Sequence, residues 1–202
     1  VIVVGGGPAG AATDHALARR GVDVLILDRA HFPRPKPCAE CLSPQASRIL
    51  ADMGALDAVL PAAAQLTGML VRAPTGSRIT GHFVAAHGYH AFYERGLSVR
   101  RELLDQILLA CARAAGARAE EGVRVIDLNR DASGRVIGVV TQHPDGSTSV
   151  RGARVVIGAD GLNSVVARRL GVARRLRWPR RLALVTHYCG VTDISDVGEM
   201  HV

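Results

Sequence analysis

At 202 residues, with 48% hydrophobic and 21% charged residues, the chain falls within the range of one ordinary globular domain with a sizeable core. No apolar stretch approaches the roughly 20 residues needed to span a bilayer and nothing resembles a cleavable signal peptide, so a cytoplasmic protein is expected. The net charge of +7 is carried almost wholly by arginine, Lys36 being the only lysine, but no nucleic-acid motif is present and 3% aromatics offers few stacking platforms for bases. Four cysteines, Cys38 and Cys41 close together and Cys111 and Cys189 isolated, do not form the framework of a small secreted domain, and reduced thiols are expected.

In chain order, Val1 to Val4 reads as a short buried strand, and Pro8 to Arg20 shows helical spacing through Ala12, Ala16 and Leu17 before Gly21. Val22 to Asp28 is a second strand, which completes a βαβ unit of the parallel type. A Pro-rich loop runs from Phe32 to Pro37. Ser43 is placed to cap a helix that begins at Pro44, with Ile49, Leu50, Met53 and Leu56 as its apolar face. Met69 to Phe83 alternates around Pro74-Thr75-Gly76 as a β-hairpin, and His82 to Gly96 is loop-like. Leu103, Leu104, Ile107, Leu108 and Cys111 mark a long helix ending near Gly116. Val123 to Leu128, Val136 to Gln142 and Ser149 to Ile157 follow as strand-like segments separated by turn formers. Asn163 to Leu170 is a short helix, and Leu182 to Cys189 is expected to begin a further strand. The chain opens directly on an apolar run and closes on Glu199-Met200-His201-Val202, which reads like the middle of a strand. A fragment of a longer protein is therefore expected.

Gly5-x-Gly7-x-x-Gly10 follows the first strand and opens a helix, and Asp28 stands eighteen residues beyond Gly10. Gly5 permits the tight turn, Gly7 lets backbone approach a pyrophosphate, and Gly10 allows close helix packing. Pro8 and Ala9 begin the helix whose N-terminus offers amide hydrogens and positive dipole to phosphates. Asp28, followed by Arg29, is placed to accept the hydroxyl hydrogens of an adenosine ribose. One position departs from the usual fingerprint. Asp14 stands where a small apolar residue packs the helix on the sheet, so its carboxylate must rotate outward or find a partner.

Three further segments separate FAD from NAD. Val99-Arg100-Arg101-Glu102-Leu103-Leu104-Asp105 resembles the Arg-x-x-Leu-Asp helix start of flavoprotein hydroxylases and geranylgeranyl reductases. Gly158-Ala159-Asp160-Gly161-Leu162-Asn163-Ser164 with Arg168 resembles the Asp-Gly signature of the same superfamily. Phe32-Pro33-Arg34-Pro35-Lys36-Pro37-Cys38-Ala39-Glu40-Cys41-Leu42-Ser43-Pro44 is similar to the loop after the second strand in the geranylgeranyl reductase branch. The resemblance implies FAD as cofactor, Arg101 against the pyrophosphate, and Asp160 and Gly161 ordering the region shared by flavin and nicotinamide. It also implies Val123 at the adenine and Cys38 near the flavin ring, with Cys41 as packing.

The implied fold class is α/β: a Rossmann-like FAD-binding domain with a parallel sheet and a β-meander, followed by the beginning of a mixed-sheet substrate domain. The expected division is 1–60 with 98–178 for FAD, and 61–97 with 179–202 for substrate. A metal site is not expected, because Cys38 and Cys41 lack further ligands and His87 and His90 sit in an irregular segment without ligand-like order. The arginines at 168, 169, 174, 175, 177, 180 and 181, with Trp178 among them, read either as a solvated face or as a surface that meets anionic lipid or an electron donor.

For the activity, the resemblance implies hydride transfer from flavin to a small apolar substrate such as a prenyl chain, with NAD(P)H as a donor. Oxygen-dependent hydroxylation, halogenation and a non-catalytic FAD-binding fragment are the alternatives.

Overall fold

The computed structural model describes residues 1–86, 88–174, 178 and 182–202. In chain order the elements are β1 (Ile2–Val4), α1 (Pro8–Ala18), β2 (Leu25–Asp28), β3 (Cys41–Leu42), α2 (Pro44–Asp52), α3 (Leu56–Val59), β4 (Ala64–Leu66), β5 (Gly68–Arg72), β6 (Arg78–His82) and β7 (Gly96–Ser98). Then follow α4 (Arg101–Ala114), β8 (Arg118–Glu121), β9 (Arg124–Arg130), β10 (Val136–Gln142), β11 (Thr148–Gly152), β12 (Val156–Gly158), α5 (Val165–Arg169) and β13 (Val197–His201). They pack as two compact units, Val1–Pro35 with Glu102–Leu182, and Lys36–Arg101 with Ala183–Val202. Residues 36–60, grouped by sequence with the nucleotide-binding part, pack with the second unit.

In the first unit a parallel sheet of order β12-β1-β2-β8 is buried on both faces. Alternation of side chains along a strand explains how. Val3 and Ile26 point to the face covered by Leu17 and Ala18 of α1 and by Leu109 and Ala112 of α4. Ile2, Val4, Leu25 and Leu27 point to the other face, against Val125 and Leu128 of β9, Val139 of β10 and Val166 of α5. Two-sided burial is why these strands are continuous apolar runs. The antiparallel meander β9-β10-β11 supplies that second cover.

Ser149 to Ile157, expected as one strand, is two. Thr148–Gly152 pairs antiparallel with β10, and Val156–Gly158 pairs parallel with β1, so the chain must leave one sheet before joining the other. On α4 the buried stripe is Leu104, Asp105, Leu108, Leu109 and Ala112, which leaves Leu103, Ile107 and Cys111 half-buried.

The second unit carries two small sheets, β3-β7-β4 and β13-β5-β6. The expected hairpin is β5 and β6, closed by a hydrogen bond from the Gly76 N–H to the Ala73 carbonyl at 3.0 Å. Three expectations are corrected here. Ser43 stands at the N-cap of α2, but its side chain makes no capping hydrogen bond. Ile49 is exposed, the helix being buried through Ser47 and Leu50, with Met53 buried just past its end. Leu182 to Cys189 forms no strand; Val197–His201 instead takes the open edge of β5, in parallel. An apolar run alone does not make a strand unless a partner edge is available to it. Among the described residues, no helix is long and apolar enough to cross a membrane.

Candidate cofactor-binding site

The glycine turn joins β1 to α1 in the first unit. Gly5 has φ +103, donates its N–H to the Leu27 carbonyl at 2.8 Å, and a Cβ there would lie 2.6 Å from the Ala159 carbonyl oxygen. Gly10 lies so close to the Gly5 carbonyl oxygen that a Cβ would overlap it. Both positions therefore demand glycine, one for its backbone angle and one for space. Gly7 is the N-cap of α1 and Pro8 its first residue, and no side chain caps this helix. Ala9 is exposed at its start.

The contrast with α5 is informative. There Ser164 accepts the Ala167 N–H at 2.9 Å, while Asp160 accepts the Ser164 hydroxyl and the Val165 N–H, both at 2.6 Å. Orphan amide hydrogens at the start of α5 are thus met by side chains, whereas among the described residues no side chain caps the start of α1, the arrangement that suits an anion. Asp160, half-buried, supports the Ser164 N-cap of α5 and takes a first-turn amide itself; Gly161 beside it is exposed, with φ +79.

Asp28, buried at the end of β2, holds two backbone amides: Gly6 N–H on Oδ2 at 2.7 Å and Ala30 N–H on Oδ1 at 2.8 Å. Each carboxylate oxygen retains capacity for a further donor, as a ribose hydroxyl requires. Val123 is buried and donates its N–H to the Asp28 carbonyl at 2.9 Å, so the two predicted adenosine-end residues are adjacent. Arg29 is exposed.

Asp14 does not rotate outward, and among the described residues it finds no partner. It is 0% exposed, neither carboxylate oxygen has a hydrogen-bond partner among the described residues, and burial pushes its carboxyl up to about 7.

In the second unit, Cys38 is half-buried. Burial pushes its thiol up, but the Glu40 and Ala39 N–H groups and the Arg101 guanidinium outweigh it and hold the thiol below its ordinary range. Arg101, the first residue of α4, donates its own N–H to Glu40 Oε1 at 3.1 Å, and Glu40 Oε2 meets His187 Nε2 at 2.9 Å. Cys41 is exposed rather than packed, because its place on β3 turns it away from the unit's interior.

Of the arginine cluster, 168, 169 and 174 are exposed and Trp178 is 85% exposed. Arg175, Arg177, Arg180 and Arg181 lie outside the described residues, as does His87.

Gly6 and Glu121 carry no sequence signal of their own for a role in the site, and neither does His187. Phe32, Arg34, Glu40 and Asp105 lie inside the motifs that carry the resemblance, and the fold shows what they meet: Phe32 with Glu121, Arg34 with Asp105 and Glu40 with His187.

Residues 1–189 match the model of an FAD binding domain. The chain belongs to this FAD-binding family. The residues present fit the cofactor: a side-chain-free turn that a Cβ would fill, an uncapped helix start, and a carboxylate at the end of β2. The chain is 35% identical over 197 residues to digeranylgeranylglycerophospholipid reductase 1 of Methanopyrus kandleri, covering 97% of this chain and 48% of that protein. It is 34% identical over 181 residues to the menaquinone reductase of Mycolicibacterium smegmatis, covering 85% of this chain and 39% of that one. The chain thus spans half or less of the length of these relatives. Among solved structures, the FAD-dependent halogenase CndH, a myxobacterial chondrochloren enzyme, superposes with a TM-score of 0.68 at 28% identity, over 77% of this chain and 35% of that one.

Proposed function

We propose that this chain is the FAD-holding part of a flavin-dependent reductase of the geranylgeranyl reductase type, acting on a small apolar, prenyl-bearing substrate. The observation that carries this reading is that two reductase relatives match at about one residue in three over most of the chain. The Cys38-Ala39-Glu40 segment, similar to that branch, supports it.

The chain's own residues serve binding. The N-terminus of α1 takes the pyrophosphate, Asp28 the adenosine ribose, and Val123 the adenine side. Asp160, by supporting the α5 cap, orders the segment after β12. FAD held by these residues and reduced by NAD(P)H would supply hydride chemistry to a carbon-carbon double bond, the second hydrogen of the saturated product coming as a proton from solvent.

The test uses the full-length protein, reduced anaerobically and given a prenyl acceptor. A product heavier by two hydrogens for each double bond, formed without oxygen, is the expected result. Hydroxylation or halogenation that consumes oxygen overturns the reductase reading in favour of the other flavin chemistries. Retention of flavin with no turnover of any kind favours a non-catalytic FAD-binding protein.

A further inference from the structure

Between Asp28 and Pro35 the chain has no regular secondary structure, yet alternate residues are fastened to the framework. Ala30 donates to Asp28, and its carbonyl accepts the Gly122 N–H at 3.3 Å. Phe32 donates its N–H to Glu121 Oε2 at 2.6 Å, and Glu121 is itself paired with Arg113 at 2.7 Å. Burial pushes the Glu121 carboxyl up, but the Phe32 amide and Arg113 prevail and hold it below its ordinary range. Arg34 reaches Asp105 of α4 at 3.3 Å, where the Asp105 side chain is 0% exposed.

The side chains form a second line of contact that runs inward. The guanidinium carbon of Arg34 lies 4.9 Å from the centroid of the Phe32 ring. The far edge of that ring packs on Gly6, where a Cβ would fall 3.3 Å from Phe32 Cζ and 3.5 Å from Asp28 Oδ2. Gly6 in turn donates its N–H to Asp28. Buried acid, arginine, aromatic ring, glycine and ribose-side carboxylate thus form one continuous series within the first unit.

Gly5-Gly6-Gly7 has no side chain with which to hold itself in place, and glycine loses more conformational freedom on ordering than any other residue. A turn that must be ordered by its ligand binds that ligand less tightly than one already ordered. Phe32 supplies the packing surface that the three glycines lack. Arg34 fixes the ring, by cation–π contact on one side and by its pair with Asp105 on the other.

We infer that Arg34 is a positioning residue for the cofactor: acting through Phe32 on Gly6 and Asp28, it presets the glycine turn for the adenosine half of FAD. This rests on the membership of the FAD-binding family and not on the reductase reading, so it stands or falls separately from the reaction.

The experiment compares full-length wild type with Arg34→Gln, Arg34→Lys and Phe32→Leu, measuring the dissociation constants of FAD and of ADP as a probe of the adenosine half, together with the melting temperature of the apoprotein. Arg34→Gln is expected to lower the melting temperature, since it takes a partner from buried Asp105, and to weaken FAD and ADP binding by the folded protein by a similar factor of about ten. Arg34→Lys, which keeps the charge towards Asp105, is expected to recover part of that loss. Should Arg34→Gln fail to fold, Phe32→Leu, which retains apolar volume but no ring, carries the same expectation. Wild-type affinities in the folded Gln and Leu variants overturn the inference. So does a fall in melting temperature with unchanged affinity of the folded fraction, which would make the series purely structural. A wild type that binds no FAD overturns the binding reading itself.

Discussion

Glu40 and His187, 147 residues apart in the chain, meet at 2.9 Å between Oε2 and Nε2. Glu40 has φ +56, and its other carboxylate oxygen takes the Arg101 N–H. Residues 183 to 196 have no helix or strand of their own, and among the described residues this hydrogen bond, with those from Thr67 to the Asp196 carbonyl, fastens them. His187→Ala is expected to speed amide exchange across 183–196 while leaving the parallel sheet of the first unit unchanged, since weakly bonded segments open independently of the core. Unchanged exchange in that segment would show that the pair does not hold it. The loss of overall stability is expected to stay under about 1 kcal/mol, the scale of a half-exposed pair.

Acid should undo the same contact. Burial pushes the Glu40 carboxyl up, but the His187 hydrogen bond and the Arg101 amide prevail, and it lies below its ordinary 4.5. A depressed acid contributes its stability in full above the unfolded value and loses it as pH falls through the folded one. Exchange of 183–196 should therefore rise in wild type on acidification below pH 4.5, after correction for the intrinsic rate, and be flat in His187→Ala over the same range.

Asp14 makes the opposite prediction. Its carboxyl is raised from 3.8 to about 7, so the folded state keeps a proton that the unfolded chain has released. Stability then falls as pH climbs from 3.8 towards 7 and stays low above, by on the order of 4 kcal/mol at 1.4 kcal/mol per unit. Asp14→Ala is expected to stabilise the protein by at least ~2 kcal/mol at pH 8 and much less at pH 4, as read by denaturant unfolding. Equal effects at the two pH values would show that the carboxylate is not buried unpaired.

These residues also show where the sequence was legible. The βαβ unit could be read because each signal is local: β-branched runs buried on both faces, a glycine turn between them, and a carboxylate at a fixed distance. The Asp14 anomaly was visible for the same reason, though its outcome was not, because whether a side chain escapes depends on what packs over it. Arg34 with Asp105, Phe32 with Glu121, and Glu40 with His187 are contacts between distant segments, and nothing in either member names its partner. The run from Leu182 to Cys189 misled in the same way, since strand formation is decided by an available edge, and β13 has the edge of β5.

Gly10 tests the turn itself. Because its α-carbon abuts the Gly5 carbonyl oxygen, Gly10→Ala must push α1 away from the turn. The expected result is loss of FAD from the purified full-length protein together with destabilisation by ~2 kcal/mol or more, the range for overpacking a close backbone contact. Normal flavin content in Gly10→Ala would mean that the helix can retreat without disturbing the phosphate site.

Asp160 separates capping from direct cofactor contact. Its two oxygens take the Ser164 hydroxyl and the Val165 amide, so Asp160→Ala removes both, leaves the Ser164 N-cap without its support, and should cost about 1–2 kcal/mol of stability. Asp160→Asn retains one acceptor oxygen and should lose about half as much. If capping is its whole role, FAD affinity of the folded protein will follow stability across the pair, with Asn lying between Ala and wild type. A carboxylate that also orders bound cofactor through its charge will instead lose FAD equally in Asn and Ala, whatever their stabilities. Titration of FAD into both apoproteins, set beside their unfolding curves, distinguishes the two outcomes.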